Sequence, residues 1–279
     1  AARELAQGVE DFLSGQVEEV WQMTAWDDEG APKRIPGTDL LICLGGDGVM
    51  LWAARTVIPH PVPVLGVNMG RLGFLAELRP QDLLERLPDV LEGRCRIEER
   101  TMLQAQAPAL GLTCHALNDV VVGRASAGKP VYMDISIDRS RLALYRCDAV
   151  IVASATGSTA YSLSAGGPIL HPESRDMLLT PVAPHLAAAR SLVLPPEAQI
   201  DLVVDGESGA VVSIDGQVDR PLARGDRVSV CRSPYLARFV RMAGREEHYA
   251  TLGHQLDWLR VVDASKQSEL FDLKDSSAK

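Results

Sequence analysis

The sequence predicts a two-domain α+β protein in which an α/β domain precedes an all-β domain. Residues 40–44 form an unbroken apolar run, a turn of three glycines and an aspartate follows, and residues 49–58 then carry apolar side chains at helical spacing. After Cys95 the chain changes to short alternating segments separated by Asp-Gly and Gly-Asp turns. An unbroken apolar run is typical of a strand buried on both faces of a parallel sheet, whereas alternation is typical of antiparallel strands.

The α/β domain is predicted to span residues 1–94. Its central unit is a strand at 40–44, a helix at 49–58 and a second buried strand at 62–67, which together form a βαβ arrangement. The other predicted elements are a helix over residues 1–13, a short strand over 17–23, a loop over 27–37, and a helix over 81–91 that Pro88 breaks or kinks.

The all-β domain is predicted to span residues 95–238, and residues 181–189 within it are expected to hold one helical turn or more. Residues 239–265 are expected to return to the α/β domain, and the polar residues 266–279 to form a flexible tail. The strands of this domain are predicted over residues 131–138, 141–146, 149–153, 200–204, 210–214, 227–231 and 237–242.

Composition and charge exclude several classes of protein. The 279 residues include 28 basic and 37 acidic side chains, and the net charge of −9 gives no electrostatic support for binding to nucleic acid or to a membrane surface. The five cysteines are widely spaced without a CxxC pair, which argues against a disulfide framework and a zinc site. No apolar run reaches membrane-spanning length, and the chain does not open with a signal-peptide pattern. We therefore predict a cytoplasmic protein.

The glycine-rich turn Gly45-Gly46-Asp47-Gly48 joins the first buried strand to the helix. Glycines let backbone N–H groups approach a ligand closely, and the start of a helix favours phosphate oxygens. On this pattern alone Asp47 has two interpretations: an N-cap of the helix, or a general base beside a bound phosphate. For an isolated Asp-Gly after a strand the N-cap is favoured, so other parts of the chain must decide.

Two further stretches carry polar groups beside apolar strands. Asn118 and Asp119 interrupt the apolar residues 116–122, where they could cap a bulge or bind a ligand. Residues 154–167 are rich in hydroxyls and glycines, which suits either a ligand with phosphate and ribose groups or an ordinary loop. The chain contains no GxxxxGK(S/T) motif and no paired histidine spacing, which excludes a P-loop and a zinc-protease motif.

Six short motifs follow one another between residues 39 and 217: GGDG at 45–48, NMGRLGF at 68–74, LND at 117–119, TGSTAYSLSAGGP at 156–168, PH at 184–185 and DGQ at 215–217. In these motifs and their order the chain resembles the NAD kinases (ATP-NAD kinases). The GGDG turn alone is shared with diacylglycerol and sphingosine kinases. The long loop at 156–168 is specific to NAD kinases.

The resemblance implies a reaction and a fold. NAD kinases transfer phosphate from ATP, or in some cases polyphosphate, to the 2′-hydroxyl of the adenosine ribose of NAD⁺. The family fold is an N-terminal Rossmann-like α/β domain with the GGDG turn and a C-terminal β-sandwich, with the site between them. Homodimers or homotetramers are usual, and the site borrows residues from a neighbouring subunit. Mg²⁺ is the expected divalent cation, held mainly by nucleotide phosphates because the sequence has no dedicated carboxylate cluster.

The resemblance also implies roles for particular residues. Asp47 matches the proton acceptor of the family, and Gly45, Gly46 and Gly48 match its donor-phosphate loop. Lys129 matches a position that is basic in some relatives. Contacts to NAD are implied for Gly48, Asn118, Asp119, Lys129, Arg146, Asp148, Thr159, Ala160, Tyr161, Ser162, Leu163, Ser164, Ala183 and Gln217.

Some positions depart from the family pattern. Val49 replaces the usual Thr after the GGDG turn, and Asp119 replaces the commoner Glu and is shorter by one methylene. Ala149 and Ala155 replace a common Gly and a common Pro. Asp47 is retained, so we expect activity. Two alternatives stay open: a lipid kinase that shares the GGDG turn, and a catalytically silent NAD(P)-binding regulator. The regulator is motivated by Val49 and by an opening helix where a doubly wound domain usually has a strand.

Overall fold

The computed structural model describes residues 1–26, 30–70, 73–126, 128–185, 189–242, 244, 249, 252–253 and 256. Its helices are α1 (Ala2–Leu13), α2 (Ala31–Arg34), α3 (Asp47–Thr56), α4 (Leu83–Leu91) and α5 (Tyr161–Ser164). Its strands are β1 (Leu41–Gly45), β2 (Val64–Asn68), β3 (Arg96–Ala107), β4 (Leu112–Ala116), β5 (Asp119–Arg124), β6 (Val131–Ile137), β7 (Ser140–Cys147), β8 (Ala149–Ala153), β9 (Met177–Val182), β10 (Leu192–Leu194), β11 (Ile200–Val204), β12 (Ala210–Ile214), β13 (Val218–Leu222) and β14 (Arg227–Arg241). Turns of 3₁₀ helix cover Pro108–Leu110 and Thr156–Thr159.

The α/β part is built around two parallel strands that have helices on both faces. β1 and β2 pair in parallel, and successive side chains of β2 enter different apolar clusters. Val64 lies in a cluster with Met50 of α3, whereas Leu65 lies in a second cluster with Val9 of α1 and Leu83 of α4. Because helices cover both faces, the strands are apolar along their whole length, as the unbroken runs in the sequence predict.

The β part consists of two sheets packed face to face. One sheet has the strand order β10-β9-β8-β5-β12-β13, and all its pairs are antiparallel. The other has the order β1-β2-β14-β11-β6-β7, with β3 paired to β14 and β4 paired to β3. One buried cluster combines Val122 and Val150 of the first of these sheets with Ile135 and Val228 of the other. The α/β part and this β-sandwich confirm the predicted fold class.

The long strand β14 links the two parts of the molecule. Most of it pairs with β11 and β3, while Phe239 near its end pairs in parallel with Val64 of β2. One sheet therefore continues from the sandwich into the α/β part. The predicted domain limit at residue 238 lies inside this strand, and the predicted tail at 266–279 lies outside the described residues.

Two local predictions of strands are wrong. Residues 17–23 form no strand, because their apolar side chains do not alternate and instead pack irregularly against the clusters around α1 and α3. The two strands predicted at 227–231 and 237–242 are one strand, β14, whose register with β3 shifts between them. Of the helical turn predicted at 181–189, Pro181 and Val182 belong to β9 instead, and residues 186–188 lie outside the described residues.

The remaining differences concern helices. α2 lies within the predicted loop at 27–37, of which residues 27–29 are outside the described part of the chain. α4 continues through Pro88 to Leu91 and is not broken there. Within the described residues, no helix is both long enough and apolar enough to cross a membrane.

Candidate active site

Asp47 is the first residue of α3 and lies half-buried just beyond the end of β1. Its carboxylate accepts hydrogen bonds from the backbone N–H groups of Phe74, at 2.9 Å, and Leu75, at 3.2 Å. A Cβ at Gly73 would lie 2.2 Å from Asp47 Oδ1, so only glycine allows this close approach. Residues 73–75 therefore hold the carboxylate in place from outside the helix.

The N-cap role considered for Asp47 is a wrong prediction. The N-cap of α3 is Gly46, and no side chain caps the helix. α3 begins at Asp47, two residues before the helical spacing that the sequence indicates. The Asp47 carboxylate accepts the N–H of Phe74, outside the helix. It remains in the first turn of α3, where the helix dipole favours a negative charge. Each carboxylate oxygen has lone pairs left to accept a further proton or hydrogen bond.

Gln217 connects the sandwich to the glycine-rich turn. Its Nε2 donates to the carbonyl oxygen of Gly48 at 2.8 Å, and its Oε1 accepts from Arg55 in the last turn of α3. Arg55 also donates to the Asp215 carboxylate at 3.1 Å. These contacts join the predicted donor-phosphate loop to a predicted NAD contact.

Asp215 holds the segment that carries Asn118. Its buried carboxylate accepts hydrogen bonds from the backbone N–H groups of residues 117, 118 and 119, at 3.0, 2.7 and 3.1 Å. The carbonyl of Asn118 accepts the N–H of Ser154 at 2.9 Å, just after β8. Gly157 packs so tightly that a Cβ there would lie 2.0 Å from the Asn118 carbonyl oxygen. The segment at 117–119 therefore lies beside the loop that follows β8. Asp215, Arg55 and Gln217 connect this segment to the glycine-rich turn.

The loop after β8 presents its predicted contacts unequally. Tyr161 and Ser164 are exposed at the two ends of α5. Ser162 is fully buried, and its hydroxyl lies 3.0 Å from that of Thr180, so this side chain shapes the loop from within. The other members of the predicted run are half-buried: Thr159, Ala160 and Leu163.

Asp119 is buried beside a second carboxylate. Burial, with the charge of Asp215, raises the pKa of Asp119 to about 7. Burial also raises the pKa of Asp215, although the N–H groups of residues 117–119 and the charge of Arg55 oppose it. A ligand that donates a hydrogen bond to Asp119 would favour the ionised form, because hydrogen bonds to a carboxylate stabilise its charge.

A buried ionic cluster, defined as Glu98, Arg100 and Arg241, lies behind Asp47. The Glu98 carboxylate accepts from Arg100 Nε at 2.7 Å and from Arg241 Nε at 3.1 Å. Arg241 also donates to the carbonyl of Leu75 at 2.8 Å, and the N–H of Leu75 is one of the two groups that hold Asp47. Burial opposes ionisation of Glu98, but the two arginines outweigh it and lower its pKa to about 2.

The remaining predicted contacts lie elsewhere. We define the cleft end of β5 and β8 by Asp119 and Ser154, and the far end by Arg124 and Asp148. Six residue steps separate Asp148 from Ser154, which is about 20 Å along an extended strand. Asp148 forms a half-exposed ion pair with Arg124 at 3.1 Å. Three other predicted NAD contacts, all exposed, are near this far end: Lys129, Arg146 and Ala183.

Arg55, Asp215 and the buried ionic cluster have no role predicted from the sequence. Asp215 occurs in the DGQ motif, where the Asp-Gly pair indicates only a turn. The signal for the cluster is the period-two spacing of Glu98 and Arg100 with the apolar Met102, which puts two charges on the buried face of β3. Charges on a buried face require partners, and Arg241 supplies the partner from β14.

The described residues contain no group of three or more His, Cys, Asp and Glu side chains that could hold a metal ion. Asp47 is the carboxylate at the start of α3, and a single carboxylate suits a divalent cation that nucleotide phosphates and water also hold.

These features are those of a two-domain nucleotide kinase. The start of α3 favours phosphate, the Asp47 carboxylate is held beside it, and the polar segment at 117–119 of the sandwich is held by Asp215. Models of the ATP-NAD kinase family match both parts of the chain: the N-terminal domain matches residues 2–95, and the C-terminal domain matches residues 117–242. The chain belongs to the ATP-NAD kinase family.

Curated relatives agree with this assignment. The chain is 44% identical to an NAD kinase of Heliobacterium modesticaldum over 216 residues, which cover 76% of each chain. It is 45% identical to an NAD kinase of Symbiobacterium thermophilum over 210 residues, which cover 74% of each chain. The resemblance inferred from the six motifs is confirmed, and these comparisons give no support to a lipid kinase or a silent regulator.

Solved structures share the fold. Yeast NADH kinase complexed with NADH superposes with a TM-score of 0.74 and 30% identity, covering 80% of this chain and 67% of that one. An NAD kinase from Archaeoglobus fulgidus in complex with ATP superposes with a TM-score of 0.76 and 24% identity, covering 90% of this chain and 94% of that one.

Proposed function

We propose that the cleft between the α/β part and the sandwich transfers the γ-phosphate of ATP to the 2′-hydroxyl of the adenosine ribose of NAD⁺, giving NADP⁺. The observation that carries this proposal is the chain of contacts from Gly48 through Gln217, Arg55 and Asp215 to Asn118. These contacts fix the start of α3, and with it Asp47, against the segment proposed to bind adenosine. Family membership and the names of the relatives support the same reaction.

In this proposal Asp47 is the general base. A sugar hydroxyl is a weak acid, and in a loose phosphoryl-transfer transition state it loses its proton late, so a well-placed carboxylate is sufficient. Phe74 and Leu75 bind the two oxygens of Asp47 through their backbone N–H groups and leave lone pairs for the incoming proton. The proton moves from the 2′-hydroxyl to Asp47 as the ribose oxygen bonds to the γ-phosphorus and ADP leaves.

The donor phosphates would lie against Gly45, Gly46 and Gly48, where the start of α3 offers backbone N–H groups. Val49 follows this turn with an apolar side chain, and its Cγ2 would lie 2.6 Å from a Cβ on Gly45. A side chain at Gly45 would therefore clash with Val49, so residue 45 can offer only its backbone groups to a phosphate. A divalent cation, expected to be Mg²⁺, neutralises phosphate charge when bound. Polyphosphate in place of ATP would use the same loop.

NAD would be bound at the cleft end by Asn118, Asp119 and the exposed Tyr161. Arg146 and Asp148 are proposed to bind NAD from a neighbouring copy of the chain in a homodimer or homotetramer, because they lie at the far end of β8 in one chain. We also propose a cytoplasmic location, since widely spaced cysteines suit a reducing compartment.

The proposal is tested by incubating the protein with ATP, Mg²⁺ and NAD⁺ and detecting NADP⁺ with an NADP-specific dehydrogenase. Asp47→Asn is expected to lower kcat by roughly 10²-fold or more while NAD binding is largely kept, because the proton acceptor is lost together with only one of the two backbone N–H contacts of Asp47. Asp39→Asn is the control, since Asp39 is exposed before β1. Turnover near that of the wild type in Asp47→Asn would remove Asp47 as the base.

A further inference from the structure

Arg55 ties both ends of α3 to a single turn of the sandwich. Its Nη1 donates to Asp215 at 3.1 Å and its Nη2 donates to Gln217 Oε1, so one guanidinium binds two side chains. Gln217 continues to the carbonyl of Gly48 at 2.8 Å in the first turn of the same helix. A planar guanidinium suits such two-point binding, and lysine cannot reproduce it.

The turn that meets Arg55 has a fixed shape. Asp215 and Gly216 join β12 to the Gln217 position with φ angles of +51° and +63°, and the N–H of Gln217 donates to the Ile214 carbonyl at 2.9 Å. Two central residues with positive φ are the signature of a type I′ turn, which matches the twist of the strands. The turn therefore presents the Asp215 and Gln217 side chains together to α3.

Asp215 in turn holds the segment at 117–119 through three backbone N–H groups. The side chain of Asp215 is fully buried and that of Arg55 is 16% exposed. A buried carboxylate needs a compensating charge, and Arg55 is the cation that lies in ion-pair contact with it in the described part of the chain. Arg55 therefore acts at one remove on Asn118 and Asp119.

We propose that Arg55 is a positioning residue for phosphoryl transfer: it sets the spacing between the helix that starts at Asp47 and the segment at 117–119. The inference rests on the proposed function, because only a reaction across this cleft makes the spacing matter for turnover. Displacements of about 1 Å between reacting groups can cost about 100-fold in rate. The hydrogen bonds of Arg55 go to Asp215 and to Gln217, a predicted NAD contact, and not to Asp47, so its effect on the base passes through these two side chains.

Two variants of Arg55 test the proposal. Arg55→Met keeps the aliphatic stem but removes both contacts, and kcat is expected to fall by roughly 10- to 100-fold, a larger factor than any rise in the KM for NAD⁺. Arg55→Met should also lower the thermal stability, because it leaves the Asp215 carboxylate buried without its cation. Arg55→Lys keeps the charge beside Asp215 but loses two-point binding. Its thermal stability should therefore be close to that of the wild type, while its kcat should lie between those of the wild type and Arg55→Met. Arg94→Met is the matched control, because Arg94 follows α4 and its ion pair with Asp89 of that helix lies at the surface.

The outcomes are distinguishable. Values of kcat in both Arg55 variants equal to the wild type, normalised to folded protein by circular dichroism, would overturn the proposal. Full recovery of kcat in Arg55→Lys would overturn it as well, because Arg55 would then be only a neutralising charge. If Arg55→Met does not fold, Arg55→Lys decides alone. Failure of the wild-type protein to form NADP⁺ would instead refute the proposed function.

Discussion

The two ends of strands β5 and β8 differ in how their polar groups are held. At the cleft end, Asp119 and Ser154 are buried. The N–H of Asp119 donates to the Asp215 carboxylate, and the N–H of Ser154 donates to the carbonyl of Asn118. At the far end, Arg124 and Asp148 form one ion pair whose side chains are both 37% exposed. The same two strands therefore carry a locked, buried polar network at one end and a solvated pair at the other.

This difference bears on what a single chain can do. Buried polar groups must be satisfied by partners, and once satisfied they fix geometry in the way that transfer between two substrates requires. Exposed ion pairs contribute about 0–1 kcal/mol and leave their side chains free to move. One chain thus fixes the polar groups at the cleft end, whereas the ion pair at the far end is exposed to solvent.

The largest expected effect comes from breaking the buried support of the cleft end. Arg241→Met removes one of the three arginines that form ion pairs with Glu98, and losing one partner of a buried ion pair costs about 3–5 kcal/mol of unfolding free energy. Urea unfolding at neutral pH measures the change. Arg238→Met on the same strand is the control, because its pair with Glu99 is 36% and 48% exposed and should contribute less than about 1 kcal/mol. Equal losses in the two variants would contradict the contrast between buried and exposed pairs.

The sequence predicts the fold well where apolar patterns act locally. The βαβ unit and the strands at 149–153, 200–204 and 210–214 agree with the structure, because burial on one or both faces leaves a period in the sequence. Residues 17–23 fail because apolar content without a period does not specify a strand. The separation of β14 into two predicted strands fails because Ser233 and Pro234 interrupt the pattern while pairing to β3 resumes beyond them.

The candidate site is predictable only in part for a related reason. Asp47, Asn118 and the loop after β8 lie in short motifs that a single sequence displays. Arg55 and Arg241 act through partners 160 and 143 residues away, Asp215 and Glu98, and no local pattern encodes such pairs. Asp47 shows the same limit, since the groups that hold it are backbone N–H groups 27 and 28 residues further along the chain.

A smaller effect is expected from the titration of Asp119 at the cleft end. Its pKa is raised to about 7 by burial and by Asp215, from an ordinary value of 3.8, so between these values the folded chain holds a proton that the unfolded chain has lost. The free energy of unfolding therefore falls as pH rises from about 4 to about 7. Asp119→Asn removes this slope, and its stability relative to the wild type should increase over that range by roughly 3 kcal/mol. Urea unfolding at several pH values measures it, and parallel curves for the two proteins would contradict the burial of a titrating carboxyl.

The smallest effect on stability is expected at the far end. Arg146 is exposed, and its carbonyl still accepts the N–H of His185 when the side chain is removed, so Arg146→Ala should change the free energy of unfolding by less than about 0.5 kcal/mol. If a neighbouring copy binds NAD through Arg146, the variant should raise the KM for NAD⁺ by roughly 3- to 10-fold and leave kcat near that of the wild type.

Complementation between two defective chains tests whether Arg146 binds NAD in the cleft of its own chain or in that of a neighbouring chain. Arg146→Ala keeps the base, and Asp47→Asn keeps the far end, so mixed oligomers would contain clefts in which both are intact. At NAD⁺ concentrations below KM, activity after the two proteins are mixed and allowed to exchange subunits should exceed the sum of their separate activities. Activity equal to that sum would place Arg146 and Asp47 in the same chain's site, despite the length of β8 between the two ends of the sandwich strands.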